Sequence, residues 1–326
     1  MKTTRRQILP LLAAGAGLGM PGIAWAADAY PARPVRIIAP FPPGGAVDAV
    51  ARKIAQKLTE QVGQQFFVEN KTGATGTIGM AEAARAAPDG LTLLAIDSTY
   101  SMVPYVFRRL AWDHANGFSA ITDSARGRTV LVVRANLPLR TYQDFIEHAR
   151  QNPEKLTYGS GGIGSVLHFY AEGLQQAAGV KFFHVPYRGA GDAMIGMLSG
   201  QVDFAVAPTA ATIEHVRGGT MRALAVTGTT RSTYLPDVPT FGEVGQPQFS
   251  PVYWTGLAAP ARTPQEVIDR LRTEVVRAMD APDMKEFLAS QVAEPGGVSS
   301  DDFATLIREE TERWRVVAAQ AHIEQQ

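Results

Sequence analysis

The sequence predicts an α/β protein made of two lobes with a cleft between them. Short apolar runs bounded by turn residues alternate with stretches whose apolar residues recur at helical spacing, which is typical of parallel sheets covered by helices on both faces. Extended stretches near residues 125–134 and 248–258 would let the chain leave a first domain and return to it. We therefore expect residues 27–127 and 252–326 to form lobe 1, and residues 128–251 to form lobe 2.

The first half of the chain begins with a strand and a long amphipathic helix. The strand "VRIIAP" leads into "FPPGG", after which Val47, Val50, Ile54 and Leu58 recur at helical spacing. The elements predicted next are the strand "QFFVEN", the loop "KTGATGTIG", a helix over Ala81–Ala87, a turn at "PDG", and the strands "LTLLAI" and "TVLVVRA".

The second half continues the alternation and ends in helices. Thr141 and Asp144 have the spacing of a capping pair at the start of the helix "TYQDFIEHARQNP". Thr263 and Glu266 have the same spacing at the helix "TPQEVIDRLRTEVVRAMD", which places Pro264 at its first position. The strands predicted here are "KLTYGS", "KFFHVPY", "DFAVAP" and "RALAVTG".

Composition narrows the classes of function. The 326 residues include 31 basic and 31 acidic side chains, and a formal net charge of zero does not indicate a nucleic-acid or membrane-surface partner. The absence of cysteine excludes disulfides and thiolate metal sites.

The N-terminus has the pattern of an export signal. Lys2, Arg5 and Arg6 precede a mild apolar stretch, and "AWA" at residues 24–26 has small residues at the positions that a signal peptidase reads. Adjacent arginines also occur in twin-arginine signals, so either export route is open. The alternative is a membrane anchor, which is disfavoured because the stretch is short, rich in glycine and broken by Pro10 and Pro21. Residues 1–26 are therefore predicted to be a signal peptide cleaved after about Ala26, which places the mature chain, with net charge −3, in the periplasm.

Four predicted strand ends lead into small or hydroxylated residues: "FPPGGAVD", "NKTGATGTIG", "DSTYS" and "YGSGGIGSVLH". In open α/β sheets, ligands lie beyond the carboxyl ends of the strands, where helix N-termini offer unpaired N–H groups and a positive dipole end. Such a site holds an anion without a basic side chain, and glycine lets the backbone approach closely. Alternatively, Gly44 and Gly45 only make a tight turn, and Asp48 only sits well in a first helical turn. Four such loops favour a cleft for a carboxylate or phosphate.

Several side chains are candidates for the same cleft. His168 would face the cleft if it lies at the start of its helix. Arginines either meet the anion or are solvated, and aromatic residues either line the cleft or belong to the core. The hydroxyl donors are Ser160, Ser165, Thr75, Thr77, Ser98 and Thr99, the arginines are Arg108, Arg109 and Arg188, and the aromatic residues are Phe41, Tyr100, Tyr158, Phe169 and Trp254.

The motifs for catalysis or cofactor binding are incomplete. Gly159, Gly161 and Gly164 spell G-x-G-x-x-G, but the next strand is not followed by the acidic residue that a dinucleotide site needs. His168 and Glu172 are four residues apart on one helix face, without a third metal ligand. We therefore expect no cofactor, no metal and no enzymatic activity. A secreted hydrolase would require a serine and a histidine, such as Ser165 and His168, to converge with an acid.

The mature chain resembles the Bug, or TctC-type, extracytoplasmic solute receptors of tripartite tricarboxylate transporters. The motifs that show the resemblance are "YPARPVRIIAPFPPGGAVDAVAR", "VENKTGATGTIG", "AAPDGLTLL", "LTYGSGGIGSVLHFYAE", "FHVPYRGAGDAMIGMLSGQVDF", "RALAVTGTTRSTYLPDVPTFGEVG" and "YWTGLAAPARTP". The resemblance implies the clamshell of periplasmic binding proteins, also called a Venus flytrap, with the ligand held between the lobes.

The resemblance also implies where the ligand binds. Main-chain groups of the first glycine loop and its neighbours would hold one carboxylate, and specificity would be set on the far side. The matching positions are Pro43, Gly44, Gly45, Ala46, Thr75, Gly76, Thr77, Ser160, Gly161, Gly162, Gly164, Ser165, Ala207, Pro208 and Thr209. Together with Phe41, Ser98 and His168 from the residues themselves, these are the predicted ligand-binding residues. The family's usual G-A-G-G has Thr75 at its third position here, so no particular substrate is transferred.

The resemblance implies a periplasmic solute-binding protein for a small carboxylate: a di- or tricarboxylate, an acidic amino acid or an aromatic acid. The expected partners are this organic anion and the membrane subunits of a tripartite tricarboxylate-type transporter, with no nucleic acid, and the chain is expected to be a monomer. The alternative is a sensing role, in which the closed protein presents the bound acid to a sensor-kinase ectodomain.

Overall fold

The computed structural model describes residues 30–323 and residue 325, so the predicted signal peptide lies outside the described residues. The strands are β1 (Val35–Ala39), β2 (Phe66–Asn70), β3 (Thr92–Asp97), β4 (Phe118–Arg134), β5 (Thr157–Ser160), β6 (Phe183–Pro186), β7 (Phe204–Pro208), β8 (Met221–Val226), β9 (Val252–Pro260) and β10 (Ala293–Pro295). The helices are α1 (Ala46–Val62), α2 (Thr77–Ala84), α3 (Tyr142–Gln151), α4 (Val166–Ala178), α5 (Ala190–Leu198), α6 (Thr209–Arg217), α7 (Gln265–Asp280), α8 (Pro282–Ser290) and α9 (Ser300–Gln320). Within residues 30–323, no helix combines the length and apolar character that a membrane span requires.

The strands are hydrogen-bonded in the order β2-β1-β3-β9-β4-β7-β5-β6, and β8 and β10 also pair with β4. Pairing is parallel among β2, β1 and β3, which we call the first half, and among β7, β5 and β6, which with β8 we call the second half. Pairing is antiparallel wherever β4 or β9 takes part. The predicted α/β class is therefore confirmed, with mixed sheets because these two strands run against their neighbours.

Strands β4 and β9 connect the two halves. Strand β4 pairs with β9 over Phe118–Arg128 and with β7 and β8 over Thr129–Arg134. The chain thus enters the second half near Arg128 and returns at Val252, within the stretches that the sequence predicted to be connectors. The lobe limits at residues 127/128 and 251/252 stay a prediction.

Buried apolar side chains follow the predicted periodicity. Val47, Val50, Ile54 and Leu58 of α1 are all buried in the core of the first half. The long helix α9 contributes to both halves, which the sequence did not indicate. Near its start Phe303 packs edge-on against Trp254, and near its end Trp314 packs against Phe169 and Tyr170 of α4. One helix therefore holds apolar contacts in both cores.

The first residues of three helices can be compared with the caps and starts that the sequence predicted. Helix α3 has the predicted capping box, in which the Asp144 N–H donates to Thr141 Oγ1 at 3.1 Å and the Thr141 N–H donates to Asp144 Oδ2 at 2.9 Å. The prediction for α7 was wrong by one residue: Pro264 is extended and precedes the helix, and the Thr263 hydroxyl donates to the Pro260 carbonyl at 2.7 Å. The helix predicted over Ala81–Ala87 begins earlier, at Thr77.

Candidate functional site

A cavity of about 900 Å³ lies between the two halves. Its first-half wall comes from the β1–α1 loop, Thr75 and Thr99, and its second-half wall from the starts of α4, α5 and α6. Strands β4 and β9 contribute Ala125–Gly127, Tyr253 and Thr255. The described lining residues include Arg126 and Arg188 but neither aspartate nor glutamate, so their formal charge favours an anion.

Three helices begin at this cavity without a side-chain cap among the described residues. Their N-cap positions are Gly45 for α1, Gly189 for α5 and Pro208 for α6, and each of these residues lines the cavity. The first N–H groups of a helix have no partner within the helix and are the positive end of its dipole. Amides from both halves are therefore available to one anion.

The first glycine loop is held by Asp48. The Gly44 N–H donates to Asp48 Oδ2 at 2.9 Å, and Asn70 Nδ2 donates to Asp48 Oδ1 at 2.8 Å and to the Phe41 carbonyl at 3.0 Å. Burial alone would raise the pKa of Asp48, but the hydrogen bond from Arg52, with those from Gly44 and Asn70, lowers that pKa below its ordinary value. The Gly44 amide is therefore already paired within the protein. Gly44 and Pro43 do not line the cavity, contrary to the prediction, whereas Phe41, Gly45 and Ala46 do.

In the second loop only Thr75 lines the cavity. Gly76 is buried, and the Thr77 hydroxyl donates to the Ala74 carbonyl at 2.8 Å. Ala74 and Thr75 have φ values of 47° and 55°, in the left-handed region. This conformation is strained for a β-branched residue, and such strain concentrates at functional sites.

In the third loop Gly161 and Ser165 line the cavity, and the other predicted residues support the loop from behind. Ser160 is fully buried and shares a 2.6 Å hydrogen bond with His184 Nε2, and the Gly162 N–H donates to Ser160 Oγ at 3.1 Å. The Gly164 N–H donates to His168 Nδ1 at 3.1 Å. The loop is thus shaped by side chains that do not reach the cavity.

His168 belongs to a column of stacked rings. Its ring lies 4.2 Å from that of His184, which lies 4.8 Å from that of Tyr158. Burial lowers the pKa of His168 to about 3, with a further contribution from His184, and burial lowers the pKa of His184 to about 4. Both imidazoles are therefore neutral near pH 7, and His168 does not line the cavity as predicted, because it packs behind the loop.

Ser165 and His168 do not form the serine–histidine pair that a hydrolase would require. Ser165 Oγ accepts the backbone N–H of His168 at 3.4 Å, as a helix cap, and does not contact the imidazole. Glu172 Oε1 accepts the Tyr158 hydroxyl at 2.5 Å and lies 4.0 Å from His168 Nε2. Among the described residues, no group of three or more His, Asp or Glu side chains is arranged to hold a metal ion.

A buried carboxyl group lies under the cavity floor. Asp97 accepts the Thr99 N–H at 3.1 Å and the Tyr253 hydroxyl at 3.1 Å, and both Thr99 and Tyr253 line the cavity. Burial raises the pKa of Asp97 to about 6. Ser98, a predicted ligand residue, is buried instead, where its Oγ accepts the Trp254 N–H at 3.0 Å and joins β3 to β9.

The remaining predictions divide between cavity and core. Ala207, Pro208 and Thr209 line the cavity. Of the aromatic candidates only Phe41 does so, while Tyr100, Tyr158, Phe169 and Trp254 are buried in the cores. The sequence reasoning missed Arg126, Tyr253 and Thr255, because it treated β4 and β9 only as connectors.

Comparison with known proteins agrees with this architecture. The sequence profile described as "Tripartite tricarboxylate transporter family receptor" matches residues 50–322. Protein BugT of Bordetella pertussis is 33% identical over 313 residues, covering 94% of each chain. The protein of the tcbD-tcbE intergenic region of Pseudomonas sp. strain P51 is 38% identical over 290 residues, covering 88% of this chain and 86% of that protein.

Solved structures show the same fold. Periplasmic binding protein BugD has a TM-score of 0.78 at 30% identity, with 91% of this chain and all of that chain covered. A protein of R. palustris solved with adipate has a TM-score of 0.80 at 32% identity, with 91% of this chain and all of that chain covered. MatC from Rhodopseudomonas palustris with bound malate has a TM-score of 0.77 at 30% identity, with 89% of this chain and all of that chain covered. The predicted two-lobed clamshell is thereby confirmed.

The raised pKa of Asp97 predicts a specific pH dependence of stability. A carboxyl whose folded-state pKa lies above its unfolded value contributes stability at low pH, and this contribution is lost as the pH rises through the folded-state pKa. Relative to Asp97→Asn, the wild-type protein should therefore lose up to about 3 kcal/mol of unfolding free energy between pH 4 and pH 7. Urea denaturation across this range measures the difference, with the exposed Asp237→Asn as control. A difference between wild type and Asp97→Asn that does not change with pH would contradict the assignment.

Proposed function

The chain belongs to the receptor family of the tripartite tricarboxylate transporters, whose members are periplasmic solute receptors and not enzymes, and from this premise we propose that it captures a small organic carboxylate between its two lobes. We further propose that it delivers this acid to the membrane subunits of a transporter of that type. The main supporting observation is that uncapped helix starts from both halves meet at one cavity whose described lining residues include no carboxylate.

The chemistry of the cavity supports a carboxylate over a neutral ligand. Hydrogen bonds from N–H groups to a charged acceptor contribute about 1.5–3 kcal/mol each. Binding by helix starts that already lie at the cavity wall requires little rearrangement of the protein. Two relatives with this fold were solved with adipate and with malate, and both of these ligands are carboxylates.

We assign the ligand contacts to the predicted residues that line the cavity: Phe41, Gly45, Ala46, Thr75, Gly161, Ser165, Ala207, Pro208 and Thr209. The other predicted residues act behind the surface and hold these loops in place: Pro43, Gly44, Gly76, Thr77, Ser98, Ser160, Gly162, Gly164 and His168. Residues 27–127 with 252–326 and residues 128–251 are proposed as the two lobes. They close on the ligand by bending where β4 and β9 cross between the halves.

A thermal-shift screen of mono-, di- and tricarboxylates and aromatic acids against the mature protein tests the function. A ligand that binds only the native state raises the melting temperature, so at least one acid should shift it by several degrees, and calorimetry should then give 1:1 binding without turnover. If no acid shifts the melting temperature, the proposed function is wrong.

Gly45→Leu tests the site itself. Gly45 has ordinary extended dihedrals, and a Cβ there would meet only the Pro42 carbonyl at 3.5 Å, so the variant should fold. Its side chain should displace the carboxylate from the start of α1 and weaken binding at least about tenfold, the equivalent of one charge-assisted hydrogen bond. Gly242→Leu, outside the cavity, is the matched control. Unchanged calorimetric affinity in Gly45→Leu would place the site elsewhere.

Thr75→Gly and Ala74→Gly separate strain from ligand contact. Both residues have left-handed dihedrals, but only Thr75 lines the cavity. Relief of left-handed strain outweighs the extra freedom of glycine in the unfolded chain, so each variant should gain roughly 0.5–1 kcal/mol of unfolding free energy. Only Thr75→Gly should change the affinity for the acid found in the screen. An equal change of affinity in Ala74→Gly would show that the loop acts through its backbone alone.

Residues 1–26 are proposed as the cleaved export signal. The protein recovered from the periplasmic fraction should have the intact mass of a chain that starts at Ala27. Replacing Arg5 and Arg6 with lysine, which preserves the charge, should hold the precursor in the cytoplasm if export uses the twin-arginine route and not if it uses the general one. A periplasmic protein that keeps residues 1–26 would contradict the cleavage.

A further inference from the structure

An irregularity in β4 brings a buried carboxylate and a cavity arginine together. Asp123 pairs with Gly256 and Ala125 pairs with Thr255, so Ser124 is an extra residue on the β4 side. In a regular strand, residues three apart point to opposite faces. The extra residue places Asp123 and Arg126 side by side, with Arg126 Nε donating to Asp123 Oδ2 at 2.5 Å. Bulges commonly redirect a side chain next to a functional site.

Asp123 is itself fixed in position. Its side chain is fully buried, and its Oδ1 accepts the N–H groups of Gly297 at 2.8 Å and Val298 at 3.0 Å. A carboxylate with both oxygens engaged in this way has little freedom to move. It therefore holds the Arg126 guanidinium by one edge, at a residue that lines the cavity.

The other edge of Arg126 is available to a ligand. Nη1 and Nη2 of Arg126 donate to no residue in the described part of the chain, and its side chain is 38% exposed. Two parallel N–H donors of a guanidinium match the two oxygens of a carboxylate. Gly127, the next residue, also lines the cavity.

Arg188 differs from Arg126 although it lines the same cavity. It is exposed, makes no ion pair with a described carboxylate, and also borders a second, outer cavity next to Pro186 and Tyr187. A solvated, unanchored arginine attracts anions at long range but loses side-chain freedom when it binds one. Arg126 is anchored before the ligand arrives.

We propose that Arg126 binds a second negatively charged group of the ligand, so that the cavity selects dicarboxylates over monocarboxylates of the same length. This inference rests on the proposed function, in which the helix starts hold the first carboxylate. A monocarboxylate would place a neutral end beside Arg126, and the guanidinium would lose water without gaining a partner. A site built to pair a polar group discriminates strongly against an analogue that lacks it.

Calorimetry with matched acids tests the proposal: succinate against butyrate, adipate against hexanoate, and terephthalate against benzoate. In the wild-type protein, the best-binding diacid should bind at least about tenfold more tightly than its monoacid partner. Arg126→Gln should abolish this preference by weakening the diacid, while the monoacid, which no longer strips water from a guanidinium, should bind at least as tightly as before. Arg126→Lys keeps the charge beside Asp123 and should retain part of the preference. Arg188→Gln, the matched control, should keep the preference.

The outcomes separate the two proposals. If no acid of either kind binds, the proposed function fails. If acids bind but the wild-type protein prefers the monoacids, or if Arg126→Gln keeps the preference for diacids, the function stands and the role of Arg126 is wrong. Loss of the preference in Arg188→Gln alone would move the role to Arg188. Melting temperatures show whether each variant is folded. If Arg126→Gln unfolds because Asp123 loses its partner, the reduced preference for diacids expected of Arg126→Lys still tests the proposal.

Discussion

An α-helix cannot satisfy its own first N–H groups, and the arrangement of this protein around the cavity follows from that constraint. Helices α1, α5 and α6 each start where a loop from the sheet reaches the cavity, and none of these starts has a side-chain cap among the described residues. Elsewhere the chain supplies such caps, as Thr141 does for α3 and Ser299 does for α9. Helices α2, α7 and α8 also start without a side-chain cap in the described part of the chain, away from the cavity lining, so what distinguishes α1, α5 and α6 is that their three uncapped starts meet at one cavity.

Buried polar groups keep these loops in place without entering the cavity. Asp48 and Asn70 bind the backbone of the first glycine loop, and His168 binds the amide of Gly164 in the third. Asp97 holds Thr99 and Tyr253 from below the floor. Each group is hydrogen-bonded, as buried polar groups must be if they are not to destabilise the fold. The cavity surface itself then combines uncapped helix starts and small residues with two arginines and apolar side chains such as Phe41, Leu167 and Met194.

The two halves are joined by more than the two crossing strands. Helix α9 places Phe303 in the core beside Trp254 and Trp314 in the core beside α4. The closure proposed above would either keep both contacts, by bending at β4 and β9, or slide the end of α9 against α4. Closely packed aromatic contacts resist sliding, which favours bending of the strands.

The sequence alone determined the local features: the α/β alternation, the buried face of α1, the capping box of α3 and the small residues at the loop starts. These depend on spacings of a few residues, which periodicity and capping rules can read. Only the tertiary structure decided which of these residues reach the cavity. Gly44 is bound by Asp48, Ser160 by His184, 24 residues away, and His168 is turned into the core, while an extra residue in β4 places Arg126, a cavity-lining residue, beside Asp123. These outcomes depend on hydrogen-bond partners and strand register that are set by distant parts of the chain, and no local pattern encodes them.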